Sequence, residues 1–201
     1  MSDPSTPGPG GAPGGKRATR KMLLALRDAL TPATRTSASR SIADRATALL
    51  DVKLPQGSLV ALYAAKGTEV ETAEIDGHAG SHGMRVAYPR IVPGDRRLAF
   101  HEVPRQELVI ARFGLREPRP DAPAVALDQI TAFVIPGIAF DRAGGRIGWG
   151  RGYYDATLEA VPSALRIALA FECQLVPHIG REPHDMPVHY IITEVATYAV
   201  V

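Results

Sequence analysis

Apolar positions fall at helical spacing near the start of the chain: Met22, Leu23, Leu26, Ala29 and Leu30 share one stripe, which Thr31-Pro32 interrupts. The spacing predicts an amphipathic helix over residues 16–30, with Lys16 and Arg20, four apart, on one side of its first turns. A second helix is expected over 37–50, carrying Ile42, Ala46, Leu49 and Leu50 inward, with Ser37 or Ser39 as its cap. The pattern then changes to short, mostly apolar runs. Residues 59–63, 84–88, 131–135 and 166–171 read as buried strands, with further strands over 97–103, 107–111 and 188–192. A short helix is expected over 72–81, and Pro89 is expected to stop the strand before it. Strand, helix, strand in succession implies a crossover and therefore parallel pairing, so the chain is read as α/β without internal repeats. Residues 114–123, with three prolines, are expected as a surface loop able to line a site.

With 201 residues, 45% of them hydrophobic, the chain can bury one sizeable core, which predicts a single domain over 16–201. Residues 1–15 are rich in Gly, Pro and Ser, have little to bury, and are expected to be a disordered tail rather than a signal peptide or membrane span. Cys173 is the single cysteine, so an intrachain disulfide is excluded and a cytoplasmic setting is expected. Twenty-three basic against 21 acidic residues leave a formal +2, which argues against a nucleic-acid coat. The basic residues nevertheless crowd positions 16–45 and suit a local anionic partner. A nucleic-acid module would interleave aromatics on that basic face, and they are nearly absent. Neither a nucleic-acid nor a membrane partner is expected, and the chain is expected to be a monomer.

The segment that stands out chemically is Asp141-Arg-Ala-Gly-Gly-Arg-Ile-Gly-Trp-Gly-Arg-Gly-Tyr-Tyr-Asp155. Gly148, Gly150 and Gly152 alternate just ahead of a helix-like stretch, so backbone N–H groups can approach an anion that side chains would otherwise block. Arg146 and Arg151 add guanidinium forks that match phosphate oxygens. The segment follows the expected strand over 131–135, and open α/β sheets bind ligands beyond the carboxyl ends of their strands. It is neither a Walker A loop, whose Gly-x4-Gly-Lys-Ser/Thr order is absent, nor a dinucleotide fingerprint, since position 153 is tyrosine. The competing reading is a glycine-rich turn with solvated arginines.

Other candidates carry paired readings. Asp155 can reach a magnesium ion bridging phosphates, or satisfy free N–H groups in a first helical turn. Of Tyr153 and Tyr154, adjacent on a helix, one can face the core and the other a ligand. Glu69 and Glu71 follow the strand over 59–63 and can meet an amino-bearing heterocycle or stand solvated in a loop. His78 and His82 are four apart without a third ligand near them in sequence, which reads as a surface pair. No Gly-x-Ser-x-Gly elbow is present, and no motif marks Cys173 as reactive.

Residues 136–155, Pro-Gly-Ile-Ala-Phe-Asp-Arg-Ala-Gly-Gly-Arg-Ile-Gly-Trp-Gly-Arg-Gly-Tyr-Tyr-Asp, resemble the signature of the 5-formyltetrahydrofolate cyclo-ligase (methenyltetrahydrofolate synthetase) family. Lys16-Arg-x-x-Arg20, Glu69-Val-Glu-Thr72, Tyr88-Pro-Arg90 and His184-Asp-Met-Pro-Val188 occur in family order. The resemblance implies a sandwich with a central mixed, largely parallel sheet flanked by helices. It implies an ATP- and Mg2+-dependent ring closure of a reduced folate, in which Arg146 and Arg151 serve catalysis. Lys16, Arg20, Arg146, Gly148, Trp149, Gly150, Arg151, Gly152 and Tyr154 would hold the nucleotide, Asp155 the metal, and Glu69 and Tyr153 the folate. Arg151 stands where many members have lysine, Trp149 where others have arginine or tyrosine, and His189 where an aspartate often follows Pro-Val. A phosphate-binding isomerase-like enzyme that consumes no ATP, and a silent nucleotide or folate binder, are the alternatives.

Overall fold

In the computed structural model the described residues are 13–182 and 184–200, with side chains from residue 18 onward. Residues 1–12 of the expected tail lie outside the described residues. Helix α1 covers Pro13–Asp28 and α2 Pro32–Lys53. Thr31-Pro32 both stops the first helix and starts the second: the Thr31 side chain accepts a hydrogen bond from the Thr34 N–H at 3.1 Å, and proline at the first helical position lacks only an N–H that would have no partner there. Ser37 and Ser39 therefore lie inside α2 instead of capping it.

The remaining elements, in chain order, are β1 (Leu59–Ala61), α3 (Ala73–Ser81), β2 (Arg85–Ile91), β3 (Leu98–His101), β4 (Val109–Ile110), β5 (Arg116–Glu117), β6 (Ala124–Val125) and β7 (Ile130–Ile135). They continue with β8 (Ala139–Asp141), β9 (Arg146–Ile147), α4 (Tyr153–Glu159), β10 (Leu165–Leu169), β11 (Leu175–Val176), β12 (Tyr190–Ile192) and β13 (Thr197–Ala199). The main sheet runs β13-β12-β10-β7-β1-β2-β3-β6. Its centre, from β12 to β2, is parallel, and the edge strands β13, β3 and β6 are antiparallel. The expected mixed, largely parallel α/β sheet is thus present in one domain, and β1-α3-β2 is the crossover anticipated from the pattern.

Alternation along the strands splits the core into two layers. Val60, Val134 and Ile167 point to the face covered by Ile42, Ala46 and Leu50 of α2 and Ile75 of α3. Leu59, Phe133, Ile135 and Ala168 point the other way, toward Leu158 of α4 and an edge-to-face pair of Phe100 with Phe133, ring centroids 5.4 Å apart. Leu23 of α1 packs separately on Ile138, Ala139 and Ile147 of the β8–β9 hairpin. That contact brings the basic helix to the glycine segment.

Pro89 lies inside β2 rather than ending it. The parallel partner β1 stops at Ala61, opposite Ala87, so by residue 89 no ladder on that side needs the missing N–H. Residues 107–111 form only the two-residue strand β4, which pairs with β5 inside the expected 114–123 loop, and 141–154 contains part of the β8–β9 hairpin. No helix among the described residues is long and apolar enough to cross a membrane.

Candidate active site

The glycine segment begins from a braced hairpin. Asp141, 1% exposed, accepts hydrogen bonds from the N–H groups of Gly145 at 2.7 Å, Ala143 at 3.0 Å and Ile179 at 2.6 Å, tying the β8–β9 turn to the segment after β11. Gln174 donates to the carbonyls of Gly137 and Ile138, both at 3.0 Å, and fixes the turn that leads from β7 into β8. Sequence reasoning assigned neither residue a role. Asp141 lies within the recognised motif, and nothing in its spacing separates a brace from a ligand.

Beyond β9, residues 148–152 form a loop at the carboxyl ends of the parallel strands. Gly150 (φ 79°) and Gly152 (φ 68°) take left-handed backbone angles that L side chains rarely adopt. Helix α4 after them has seven residues, so the anion-binding capacity here rests on the loop N–H groups and arginines more than on a helix dipole.

Four expected site residues converge on this loop. Arg20 donates from Nε to the Gly148 carbonyl at 3.0 Å, and its Nη2 lies 3.2 Å from where a Cβ on Gly150 would stand. Arg146, whose side chain is 7% exposed, pairs with Asp155 at 2.7 Å and lies over the Tyr154 ring, its Cζ 5.7 Å from the centroid. Asp155 Oδ1 also lies 3.4 Å from the Met186 N–H, which brings in the His184–Val188 segment. Asp155 therefore answers Arg146. Burial pushes the Tyr154 hydroxyl well above its usual range, with the Arg146 charge acting in the opposite direction.

The remaining expected residues line the rim. Arg151 is exposed, 5.4 Å from the Phe113 ring centroid, and Trp149 is also exposed. Glu69 accepts the Lys66 N–H at 3.0 Å. Burial raises its carboxyl above the usual range, against the Lys66 N–H, the Arg27 charge and the Trp149 side chain, which favour the ionised form. Glu69 thus belongs to the same site as Trp149 and Tyr154. Tyr153 is half-buried against the core layer that holds Leu158, as is Tyr154. Glu71 instead pairs with Arg105. The Lys16 side chain lies outside the described residues.

Two further residues went unrecognised in the sequence. Arg27, 4% exposed, donates from Nε to Thr68 Oγ1 at 3.0 Å and joins α1 to the segment that carries Glu69. Its signal was available: Arg27 follows Arg20 by seven positions and Lys16 by eleven, which places all three on one helical stripe. Phe113 holds the single positive φ of a non-glycine among the described residues (60°), and its carbonyl accepts the Lys66 ammonium. No local pattern predicts that contact.

Together these groups form a cationic loop with open backbone donors, exposed aromatic faces beside it and a half-buried carboxyl at its edge. Such a set can hold a polyanion next to a flat, amino-bearing ring. Burial and the nearby Glu194 charge push the Cys173 thiol up, which disfavours its thiolate form.

The 5-formyltetrahydrofolate cyclo-ligase family model matches residues 13–194. The chain is 41% identical over 88 residues to the 5-formyltetrahydrofolate cyclo-ligase of Mycolicibacterium smegmatis, a stretch spanning 43% of this chain and 45% of that one. It is 29% identical over 177 residues to the enzyme of the same name from Escherichia coli K12, covering 86% of this chain and 96% of the relative. The same fold occurs in the 5,10-methenyltetrahydrofolate synthetases of Aquifex aeolicus (TM-score 0.77, 24% identity, 92% of each chain) and Mycoplasma pneumoniae (TM-score 0.74, 24% identity, 89% of this chain and 98% of that one).

Proposed function

Because the chain belongs to the 5-formyltetrahydrofolate cyclo-ligase family, we propose that it closes 5-formyltetrahydrofolate to 5,10-methenyltetrahydrofolate while ATP is converted to ADP and phosphate. The observation that carries this reading is the docking of Arg20 onto Gly148 and Gly150 from a helix 128 positions away, which makes the basic helix and the glycine loop one site.

The residues fit a nucleotide polyphosphate. Arg146 Nε is buried without a partner, while Arg20 and Arg151 supply further donors around an open loop. They also fit magnesium, which takes one or two carboxylates and completes its shell with phosphate oxygens and waters; Asp155 is the carboxylate in place. Magnesium, when bound, neutralises phosphate charge.

The formamide oxygen is a poor leaving group until it carries a phosphoryl group. In the proposed sequence that oxygen attacks the γ-phosphorus and ADP departs, leaving an iminium phosphate. N10 then attacks the formyl carbon, the former formyl oxygen leaves within phosphate, and the N10 proton passes to solvent. Arg146 and Arg151 align and neutralise the transferred group, so the work is positioning and electrostatics without a protein nucleophile. Glu69, beside Trp149, faces the amino-bearing pterin, and Tyr153 shapes the folate side of the pocket.

The test is absorbance of the purified chain with 5-formyltetrahydrofolate, Mg2+ and ATP against the same mixture without ATP. ATP-dependent growth of the methenyl chromophore together with ADP is expected. Neither product from a folded, nucleotide-competent sample overturns the reading.

A further inference from the structure

His78 and His82 stand four apart at the end of α3, so both imidazoles lie on one helix face. Packing of α2 on α3 supplies the third ligand that the sequence did not show: Asp51, in the last turn of α2, places Oδ1 2.9 Å from His78 Nε2. One ligand atom of each of the three side chains lies within 4.8 Å of the others. The two rings are stacked, centroids 3.8 Å apart and 15° from parallel. His82 Nδ1 lies 2.9 Å from the His78 carbonyl oxygen, which can only accept, and 3.0 Å from Ser81 Oγ, whose own proton is directed to that carbonyl at 2.9 Å; this arrangement favours the proton on Nδ1 and leaves the Nε2 lone pair for a ligand. His78 and Asp51 keep 22% and 41% of their side-chain surface, and His82 is exposed, so an ion can enter and the His82 ring is free to tilt toward it.

We propose that Asp51, His78 and His82 form a binding site for a divalent late first-row transition ion, zinc foremost, with solvent completing its coordination. Two imidazoles and one carboxylate suit zinc, whereas magnesium prefers an all-oxygen shell, so this chemistry differs from that at Asp155. Among the described residues no other three such side chains come together. The end of α2 leads into the start of β1 and the end of α3 into the start of β2, which puts the cluster at the amino ends of the parallel strands, across the sheet from the glycine loop. The ion therefore clips α2 to α3 and takes no part in ring closure.

The test uses untagged, metal-free full chain titrated with Zn2+ by calorimetry and with Co2+ by visible absorption. Zinc uptake should saturate at one ion per chain, and a hundredfold excess over Kd should raise Tm by roughly 5–10 °C. Cobalt should give ligand-field bands of low-coordinate geometry. His82→Ala and Asp51→Asn, both at exposed positions, should each weaken zinc about 10–100-fold and abolish the Tm rise, with the ring-closure rate unchanged. The proposal is overturned if the wild-type chain shows no saturable uptake and no cobalt bands. It is equally overturned if His82→Ala binds zinc as wild type does, which would place the ion on other side chains such as Cys173 or His184.

Discussion

Replacing Arg146 with alanine tests the site at its centre, because its guanidinium is both the buried partner of Asp155 and the proposed phosphate ligand. Breaking a fully buried ion pair by deleting one partner costs about 3–5 kcal/mol. The Asp155 side chain keeps 21% exposure and a Met186 N–H at 3.4 Å, so about 2–3 kcal/mol is expected for Arg146→Ala. For a chain of this size that is a fall in Tm of roughly 4–12 °C, read by calorimetry. Activity should fall further, because the same group faces charge that develops during transfer: kcat/KM should drop about 10²–10³-fold at a temperature where circular dichroism shows the variant folded. Two controls separate the effects. Arg146→Lys keeps charge without the fork and should recover only part of the rate. The Arg146→Ala/Asp155→Ala double variant removes the stranded carboxylate and should regain stability without regaining activity. A folded Arg146→Ala chain with kcat/KM within about threefold of wild type would refute the phosphate role, and an unchanged Tm would refute the pairing energetics.

Glu69→Gln should raise Tm at pH 7–8 while lowering kcat/KM for the folate: burial raises the native carboxyl above its unfolded value, so stability is lost as pH rises through the native pKa, and glutamine removes that loss. If Glu69→Gln melts below the wild-type chain throughout a pH 5–8 scan, the Lys66 N–H and Trp149 contacts outweigh burial. Gly150→Ala and Gly152→Ala should each destabilise by about 1 kcal/mol through their left-handed backbone, but only at Gly150 would the new Cβ crowd Arg20, so the KM for ATP should rise more in that variant. Steady-state kinetics with equal effects on ATP in both would count against Arg20 as part of the nucleotide site. His189 is held below its usual range by burial and by the Arg166 charge, so below about pH 6.5 the unfolded chain takes up a proton that the native chain resists. Thermal melts from pH 7.5 to 5 should therefore fall less steeply in His189→Gln, and parallel curves would remove His189 from the acid response.

Nearly unbroken apolar runs and crossover order made the parallel centre of the sheet readable, since burial on both faces leaves little choice of pattern. Short elements escaped. The two-residue strands β5, β6, β9 and β11 carry too few positions for a period, β4 is only the middle of the longer strand expected over 107–111, and β13 is defined by its pairing with β12. Pro89 was misread because its cost depends on where the neighbouring strand ends, which is a tertiary fact. The site shows the same division. Gly148 to Asp155 are contiguous and could be read as one unit, whereas Arg27 and Phe113 join it only because α1 and the β4–β5 hairpin pack nearby. Asp51 is 27 positions from His78 and becomes a neighbour only through the packing of two helices.

The glycines of residues 136–155 look alike in sequence yet answer to different constraints. A Cβ on Gly137 would stand 2.4 Å from the Phe140 ring, one on Gly144 2.8 Å from the Val188 carbonyl oxygen, and one on Gly145 2.9 Å from the Asp141 carboxylate. These positions are small because the hairpin packs tightly on itself and on the chain before β12. At Gly152, by contrast, nothing lies within 4 Å of the added atom, and only the backbone angle excludes a side chain. Packing glycines build the platform, while in the loop Gly148 and Gly150 make room for the Arg146 and Arg20 guanidiniums and Gly152 leaves open space. The motif is long because it encodes both. That is why its spacing alone matches a generic anion loop so poorly, and why its whole length marks the family so well.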